Sequence, residues 1–274
     1  MCNTLKVSES GYYRSLQGNS KKLRRQRLLV KINEILEKHP DNRNYGVKRV
    51  HLALLQLGEH VSKSTVYRVM KENNLLQRKK KHPNGITRED HEAQKAENLI
   101  KQDFSATEPN QKWLTDITEV PCADGKLYVA PVFDCWNGEI VGLSMDDNMR
   151  KELCIRAFED ACNRTGARGM ILHSDRGSQY TSHDFRAALI NHGAIQSMSG
   201  IGRCYDNARM ESFFATLKKE KLYKMDTAKL SIAQVKTIIF RYITIYYNRQ
   251  RIYTANPGGW PPYVFRTRQI SRVA

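Results

Sequence analysis

The first third of the chain repeats its apolar residues at helical spacing. A first helix carries an apolar face that ends shortly before Pro40 and consists of Leu28, Leu29, Ile32, Ile35 and Leu36. A second helix, ended by Gly58, has an apolar face made of Val47, Val50, Leu54 and Leu57. After a short turn, a third helix is capped by Ser62 or Ser64, and its core side is Val66, Val69 and Met70. Two short helices joined by a tight turn predict a helix-turn-helix, although helical hairpins in general share this pattern.

From about residue 109 the pattern changes to that of β-strands. Three strands are predicted at 112–120, 126–134 and 139–146, and the Asp-Gly and Trp-Asn-Gly turns between them predict antiparallel neighbours. A helix near 149–164, a buried parallel strand in GMILHSD, a helix in TSHDFRAALINHG and a fifth strand in AIQSMS follow. Pro131 lacks a ladder donor, so a bulge or short break is expected there.

These elements predict an α/β fold. A mixed five-stranded sheet with flanking helices is preceded by an all-α helix-turn-helix domain. The expected divisions are a helical region at 1–78 with the helix-turn-helix at about 45–76, a basic linker and helix at 79–108, the α/β core at 109–255 and a tail at 256–274. Within the linker a polar helix is expected at about 88–102.

The net charge points to a polyanionic partner. Lys and Arg number 45 against 28 Asp and Glu, which gives +17, and such a charge suits nucleic-acid phosphates. A ribosomal or membrane-surface protein would share this charge but would not explain acids placed at the ends of predicted elements. The candidate DNA contacts are Lys63, Arg68, Lys71, Arg78, Lys79, Lys80, Lys81, Arg249 and Arg251. For the basic run at 78–81 and for the late arginines, plain solvation is the alternative.

The cysteines and the amino-terminal residues exclude other classes. None of the six cysteines has C-x-x-C spacing, and most lie in apolar runs, so reduced packing residues are expected and a zinc domain is not. Residues 1–22 are polar and basic, without the apolar core of a signal peptide, and no run is long enough for a membrane span. A cytoplasmic protein without membrane contact is expected.

Three acidic residues are the candidate catalytic and metal-binding group. Asp116 follows the apolar-aromatic start of the first predicted strand, Asp175 ends the buried parallel strand, and Glu211 lies near the start of a helix that begins at about Asp206. Such oxygen ligands suit Mg²⁺, with Mn²⁺ able to substitute, and not zinc. Two ions about 3.5–4 Å apart would serve phosphoryl transfer. Lys218, two turns after Glu211 on the same face, is placed to hold DNA.

Other polar residues compete for these roles. Asp134 also ends a strand and is the main alternative acid. His173 is more typical of a packed histidine, Asn207 of a helix cap and Trp113 of a core residue. A lone Asp at a strand end is usually a turn former, so the assignment depends on the surrounding motifs.

Several motifs resemble one known family. WLTDIT, HSDRGSQY, SMS, YDNARMESFFATLKKE and YYNRQR, with SESGYYRSL and STVYRVMKENNL near the amino terminus, are similar to transposases of bacterial insertion sequences. These belong to the retroviral-integrase-like DDE superfamily, and the resemblance is to the second-frame product of the insertion-sequence-three type. It implies an RNase H-like core, Mg²⁺-dependent strand cleavage by water and strand transfer by a DNA 3′-hydroxyl. The implied metal ligands are Asp116, Asp175 and Glu211, with Lys218 as the basic residue beside them.

The resemblance also implies partners. These are double-stranded DNA, as transposon ends and target, further copies of the chain on that DNA, and an upstream-frame protein or fusion carrying another DNA-binding domain and a coiled coil. It implies a bacterial, nucleoid-associated location. An RNase H-like nuclease without joining activity and a DNA-binding regulator derived from a transposase are the alternative functions.

Overall fold

The computed structural model describes residues 8–77, 96–200 and 204–273 of the chain. The chain divides into two compact units, Met1–His82 and Pro83–Ala274. The basic run at 78–81 and the greater part of the expected linker lie outside the described residues.

The first unit is built from three α-helices: α1 (Glu9–Glu37), α2 (Val47–Gln56) and α3 (Lys63–Glu72). Ser62 caps α3, because its hydroxyl accepts a hydrogen bond from the amide of Thr65. The predicted core residues of α3 are buried, and Gly58 ends the α2 segment with a φ of 80°. Leu57 was expected on the buried face of α2 but is 61% exposed, because it follows the helix end.

The second unit carries one mixed sheet with helices on both faces. Its elements in chain order are β1 (Lys112–Thr115), β2 (Thr118–Cys122), β3 (Gly125–Asp134), β4 (Ile140–Asp146), α4 (Lys151–Thr165), β5 (Ile171–Ser174), α5 (Ser178–Thr181), α6 (His183–Asn191), β6 (Ile195–Met198), α7 (Ala208–Glu220), α8 (Ile232–Arg241) and α9 (Pro262–Val273). A π-helix, Tyr242–Tyr247, continues α8.

The sheet has the order β2-β3-β1-β5-β6, with β4 on the other side of β3. The antiparallel pairs β2–β3 and β3–β4 agree with the sequence prediction, and β5 and β6 form a parallel pair. The predicted strand at 112–120 is two strands, so the sheet has six strands and not five. The irregularity expected at Pro131 lies one residue further along β3. Val132 pairs with Gly142 and Phe133 with Ile140, so Val141 of β4 is an extra residue that forms a bulge.

The helix α4 packs closely on the sheet at Gly142. A Cβ atom added there would collide with the carbonyl oxygen of Ala157 in α4. The apolar core on this face includes Trp113, Phe158 and Phe185. On the opposite face, Phe213 of α7 contacts Phe133 and Tyr247. Both faces of the sheet are therefore covered by helices, and the site described below lies at the ends of its strands.

Residues 96–102 are not helical, which corrects this part of the helix expected at 88–102. They are held instead by side chains of the core: Asn98 donates to Asp206, and the amide of Leu99 donates to Ser197. Ile100 is buried. The segment is thus part of the α/β unit.

Residues expected as a tail also pack on this unit. Phe265 of α9 contacts Trp136, and Arg266 binds the carboxylates of Asp134 and Glu139. Among the described residues, no helix is both long enough and apolar enough to cross a membrane.

Candidate active site

Asp116 and Asp175 stand at the same level of two parallel strands. The strand β1 pairs with β5 so that Leu114 lies beside His173. Two residues further along each strand, this register sets Asp116 beside Asp175. Both residues therefore leave the sheet at its carboxyl edge, which is where α/β sheets commonly bind ligands.

Each aspartate fixes its own turn with one carboxylate oxygen. Asp116 Oδ1 accepts from the amide of Ile117 at 2.7 Å, and Asp175 Oδ1 accepts from the amide of Gly177 at 3.0 Å. These local bonds hold the side chains in place. Oδ2 of each carboxylate has no hydrogen-bond partner among the described residues and stays available to a ligand.

Glu211 enters from α7. This helix buries Met210, Phe213 and Leu217 against the rest of the unit, while Glu211 is exposed in its first turn. Its negative charge is close enough to raise the pKa of Asp116. The third acid therefore faces the same region as the two strand-end aspartates.

Asn207 and Arg209 fix the amino-terminal end of α7 to the rest of the α/β unit. Asn207 Nδ2 donates to the carbonyl oxygen of Thr115, the residue before Asp116, at 3.3 Å. Arg209 donates to the carbonyl oxygens of Phe104 and Cys135. The predicted capping of the helix by the Asn207 side chain is not seen, since that side chain makes no capping bond.

Asp206, which the sequence analysis did not single out, is fully buried just before α7. It accepts hydrogen bonds from Asn98, Gln102 and the amide of Gly200. Its acceptor role ties the loop before α7 to the segment at 96–102. An acidic residue at the predicted helix start was the only signal in the sequence.

The burial and mutual repulsion of the carboxylates favour a bound cation. Burial and the neighbouring charges of Asp175 and Glu211 raise the pKa of Asp116 to about 7. Burial likewise raises the pKa of Asp175. Carboxylates that repel one another in a partly desolvated edge form a donor set that suits a hard divalent cation.

Lys218 lies close to this acidic group. Its positive charge lowers the pKa of Asp116 and so opposes the effects of burial and of the two other acids. Among the residues that the structure describes, no three His, Cys, Asp or Glu side chains converge closely enough to hold a metal ion. Strand register thus sets Asp116 beside Asp175, and the charge of Glu211 acts on Asp116. The three side chains do not converge on one point.

The competing residues have structural roles. Asp134 is fully buried and accepts from Arg266, from the amide of Asn110 and from the amide of Trp136. His173 is also buried, and its two ring nitrogens contact the hydroxyls of Ser197 and Ser199. Burial lowers the pKa of His173 to about 4, so the ring is neutral at pH 7.

Comparison with known proteins identifies the domains and relatives of this chain. An integrase core domain matches residues 106–204 and again 211–270, and an HTH-like domain matches residues 23–82. A 31 kDa protein of insertion element IS600 from Shigella sonnei is 37% identical over 100% of both chains. Transposase InsF of insertion sequence IS3A from Escherichia coli K12 is 33% identical over 99% of this chain and 94% of its own length.

The chain belongs to the IS3-type insertion-sequence transposase family. A solved structure of the HTLV-2 integrase catalytic core domain in complex with magnesium is 17% identical, covering 59% of this chain and 99% of that chain with a TM-score of 0.45. The mixed sheet with helices on both faces and the preceding helix-turn-helix unit confirm the fold class predicted from the sequence.

The predicted DNA contacts of this transposase-family chain differ in exposure. Lys63, Arg68 and Lys71 are exposed on α3, the second helix of the helix-turn-helix. Arg249 is exposed after the π-helix. Arg251 is not available to DNA: it is buried, and its guanidinium binds both carboxylate oxygens of Glu220 at 2.8 Å. The predicted DNA contact of Arg251 is therefore replaced by an interior ion pair.

The segment YYNRQR, one of the motifs that resemble the family, contains residues that pack in the core. Asn248 is buried, and its side-chain amide accepts from the amide of Ile140 and donates to the carbonyl oxygen of the same residue. Tyr247 packs against Phe213 of α7. The segment therefore links β4 to α7.

Proposed function

We propose that this transposase uses Asp116, Asp175 and Glu211 to cut DNA at insertion-sequence ends and to join the released 3′-hydroxyl to a target strand. The observation that carries the proposal is the parallel register that sets Asp116 beside Asp175, with the charge of Glu211 close enough to act on Asp116. Membership in the family supports the same reaction.

The three carboxylates would hold two Mg²⁺ ions, with Mn²⁺ able to substitute. Bound there, the ions would activate the attacking oxygen and stabilise the leaving one. The chain itself orients the ligands: backbone amides hold Asp116 and Asp175, and Asn207 connects α7 to the end of β1. Lys218 would bind a phosphate next to the acids.

The first unit would hold the DNA end. Lys63, Arg68 and Lys71 are exposed on the helix that a helix-turn-helix presents to the major groove. Arg78, Lys79, Lys80 and Lys81, outside the described residues, would follow the phosphate backbone of the bound DNA. Under this proposal the domains are the helical region at 1–78, the linker at 79–108, the core at 109–255 and the segment at 256–274.

Because both ends of an element must be processed, the active species would contain at least two copies of the chain on DNA. An upstream-frame protein or fusion would supply further DNA-binding and assembly segments.

The decisive experiment compares the parent chain with Asp175→Asn on a duplex that carries a terminal repeat, with Mg²⁺ present. The parent is expected to nick and to join strands, whereas the variant should lose both products by at least about 10²-fold. Asp184→Asn is the matched control, since Asp184 is an exposed carboxylate paired with Lys151 outside the site. Full activity of Asp175→Asn would contradict the ligand assignment.

The same assay separates the alternatives. Nicked strands without joined strands would indicate a nuclease. Tight DNA binding with no metal-dependent nicking would indicate a regulator.

A further inference from the structure

The carboxyl-terminal 48 residues, from Thr227 onward, contain eight Lys and Arg residues and no Asp or Glu. The fold neutralises only part of this charge. Arg251 binds Glu220, Arg266 binds Asp134 and Glu139, and Lys229 pairs with Asp226. The remaining cations have to be balanced by solvent ions or by a polyanion.

Two of these cations lie over aromatic rings near the surface. The guanidinium of Arg249 lies 4.3 Å from the ring centre of Tyr263, and that of Arg268 lies 3.5 Å from the ring centre of Trp260. Both arginines are exposed, and Tyr263 is 37% exposed. Neither guanidinium has a carboxylate partner within the described ranges.

Stacking on an aromatic ring preorganises a guanidinium to bind a phosphate. A ring beneath the plane restricts the arginine rotamers while the N–H donors point outward around its edge. The planar fork of donors matches two oxygens of a phosphate. Less conformational entropy is then lost on binding than for a free arginine.

We propose that Arg249 and Arg268, each stacked on its aromatic ring, form a phosphate-binding surface for duplex DNA in the α/β unit. The inference rests on the proposed strand-transfer function, in which the chain handles two duplexes, an element end and a target. The surface adds DNA contacts that are independent of the helix-turn-helix and of the acidic site. It also assigns a role to α9, whose inward side is occupied by Arg266.

Binding is measured on the full-length chain with Asp175→Asn, so that DNA is bound but not cut. A fluorescent duplex is titrated at several salt concentrations against this protein and against the same protein with Arg249→Gln and Arg268→Gln. The double variant is expected to bind at least 10-fold more weakly at moderate salt. The slope of log affinity against log salt should fall by about 1.8, since each phosphate contact contributes about 0.9.

The control variant carries Arg168→Gln and Arg241→Gln, which removes the same charge from exposed arginines that have neither an aromatic nor a carboxylate partner among the described residues. Its salt slope should change by less than half as much. A second variant, Arg249→Lys with Arg268→Lys, keeps the charge but loses the planar fork and should lose about 3-fold or more in affinity.

Equal affinity and equal salt slope in the parent and the Gln double variant, with melting temperatures unchanged, would overturn the proposed surface. So would equal losses in the Gln double variant and its control. Because cleavage is absent from this binding assay, failure of strand transfer in the active chain would count against the proposed function alone.

Discussion

Asp116 lies opposite Pro131 in the antiparallel register of the central strands. The strands β1 and β2 keep one continuous register on β3, and the two residues between them, Asp116 and Ile117, fall outside both strands. Pro131 has no N–H to donate, and its carbonyl oxygen accepts from the hydroxyl of Thr115. A proline on the neighbouring strand thus helps to release the backbone of Asp116 from the sheet.

Replacement of Asp116 by Asn should stabilise the metal-free protein at alkaline pH. The folded state raises the pKa of Asp116 from 3.8 to about 7, so between these values the folded state binds the proton more tightly than the unfolded state. Stability from this group is present at low pH and is lost as the pH rises through 7. With chelator present, Asp116→Asn should be more stable than the parent by about 1–3 kcal/mol at pH 8, allowing for solvent screening, and by much less near pH 4.

Calorimetric melting at both pH values measures this difference. Asp184→Asn is the control, because the bond from Lys151 lowers the pKa of Asp184 and the substitution should not stabilise. A parent protein that melts above Asp116→Asn at pH 8 would contradict the raised pKa.

Loss of the guanidinium at Arg251 should be severely destabilising. Arg251→Met leaves the buried carboxylate of Glu220 without its bidentate partner, and such a change costs about 3–5 kcal/mol. Chemical denaturation measures the loss. Arg249→Met, two residues earlier and exposed, should change stability by no more than about 1 kcal/mol.

A double variant tests the origin of this cost. Glu220→Leu together with Arg251→Met removes both charges and should recover most of the stability that Arg251→Met loses. If the double variant is no more stable than the single one, the cost comes from lost packing and not from the unpaired charge.

Replacement of Asn248 by Leu should expose the start of β4. Both hydrogen bonds between the side-chain amide and Ile140 disappear, at a cost of about 1–3 kcal/mol for each group left buried without a partner. Hydrogen exchange at the Ile140 amide should become faster by at least tenfold. An unchanged exchange rate would show that another group protects this amide.

Gly142 should not tolerate a methyl group. Gly142→Ala sets a Cβ against the backbone carbonyl of Ala157, which cannot move without shifting α4, so a cost of about 3 kcal/mol or more is expected. Denaturant titration and soluble yield measure the effect. Gly46→Ala is the control, because nothing lies within 4 Å of the added Cβ at that position.

Local patterns predicted local structure well, because the responsible residues are close in sequence. The apolar spacing of Val66, Val69 and Met70 indicated α3, and the motifs around Asp116 and Asp175 indicated the candidate site. Pairings over long separations could not be predicted in this way. Arg251 and Glu220 are 31 residues apart, and the division of the first predicted strand involves a proline in a neighbouring strand.

The amide of Asn248 has a consequence for how copies of this chain can associate. The strand β4 pairs with β3 alone, so its other side is an edge at which a second chain could add a strand. At Ile140 the donor and the acceptor of that edge are already occupied by a side chain of the same molecule. A strand from a second copy would therefore be blocked from pairing with β4 at this residue.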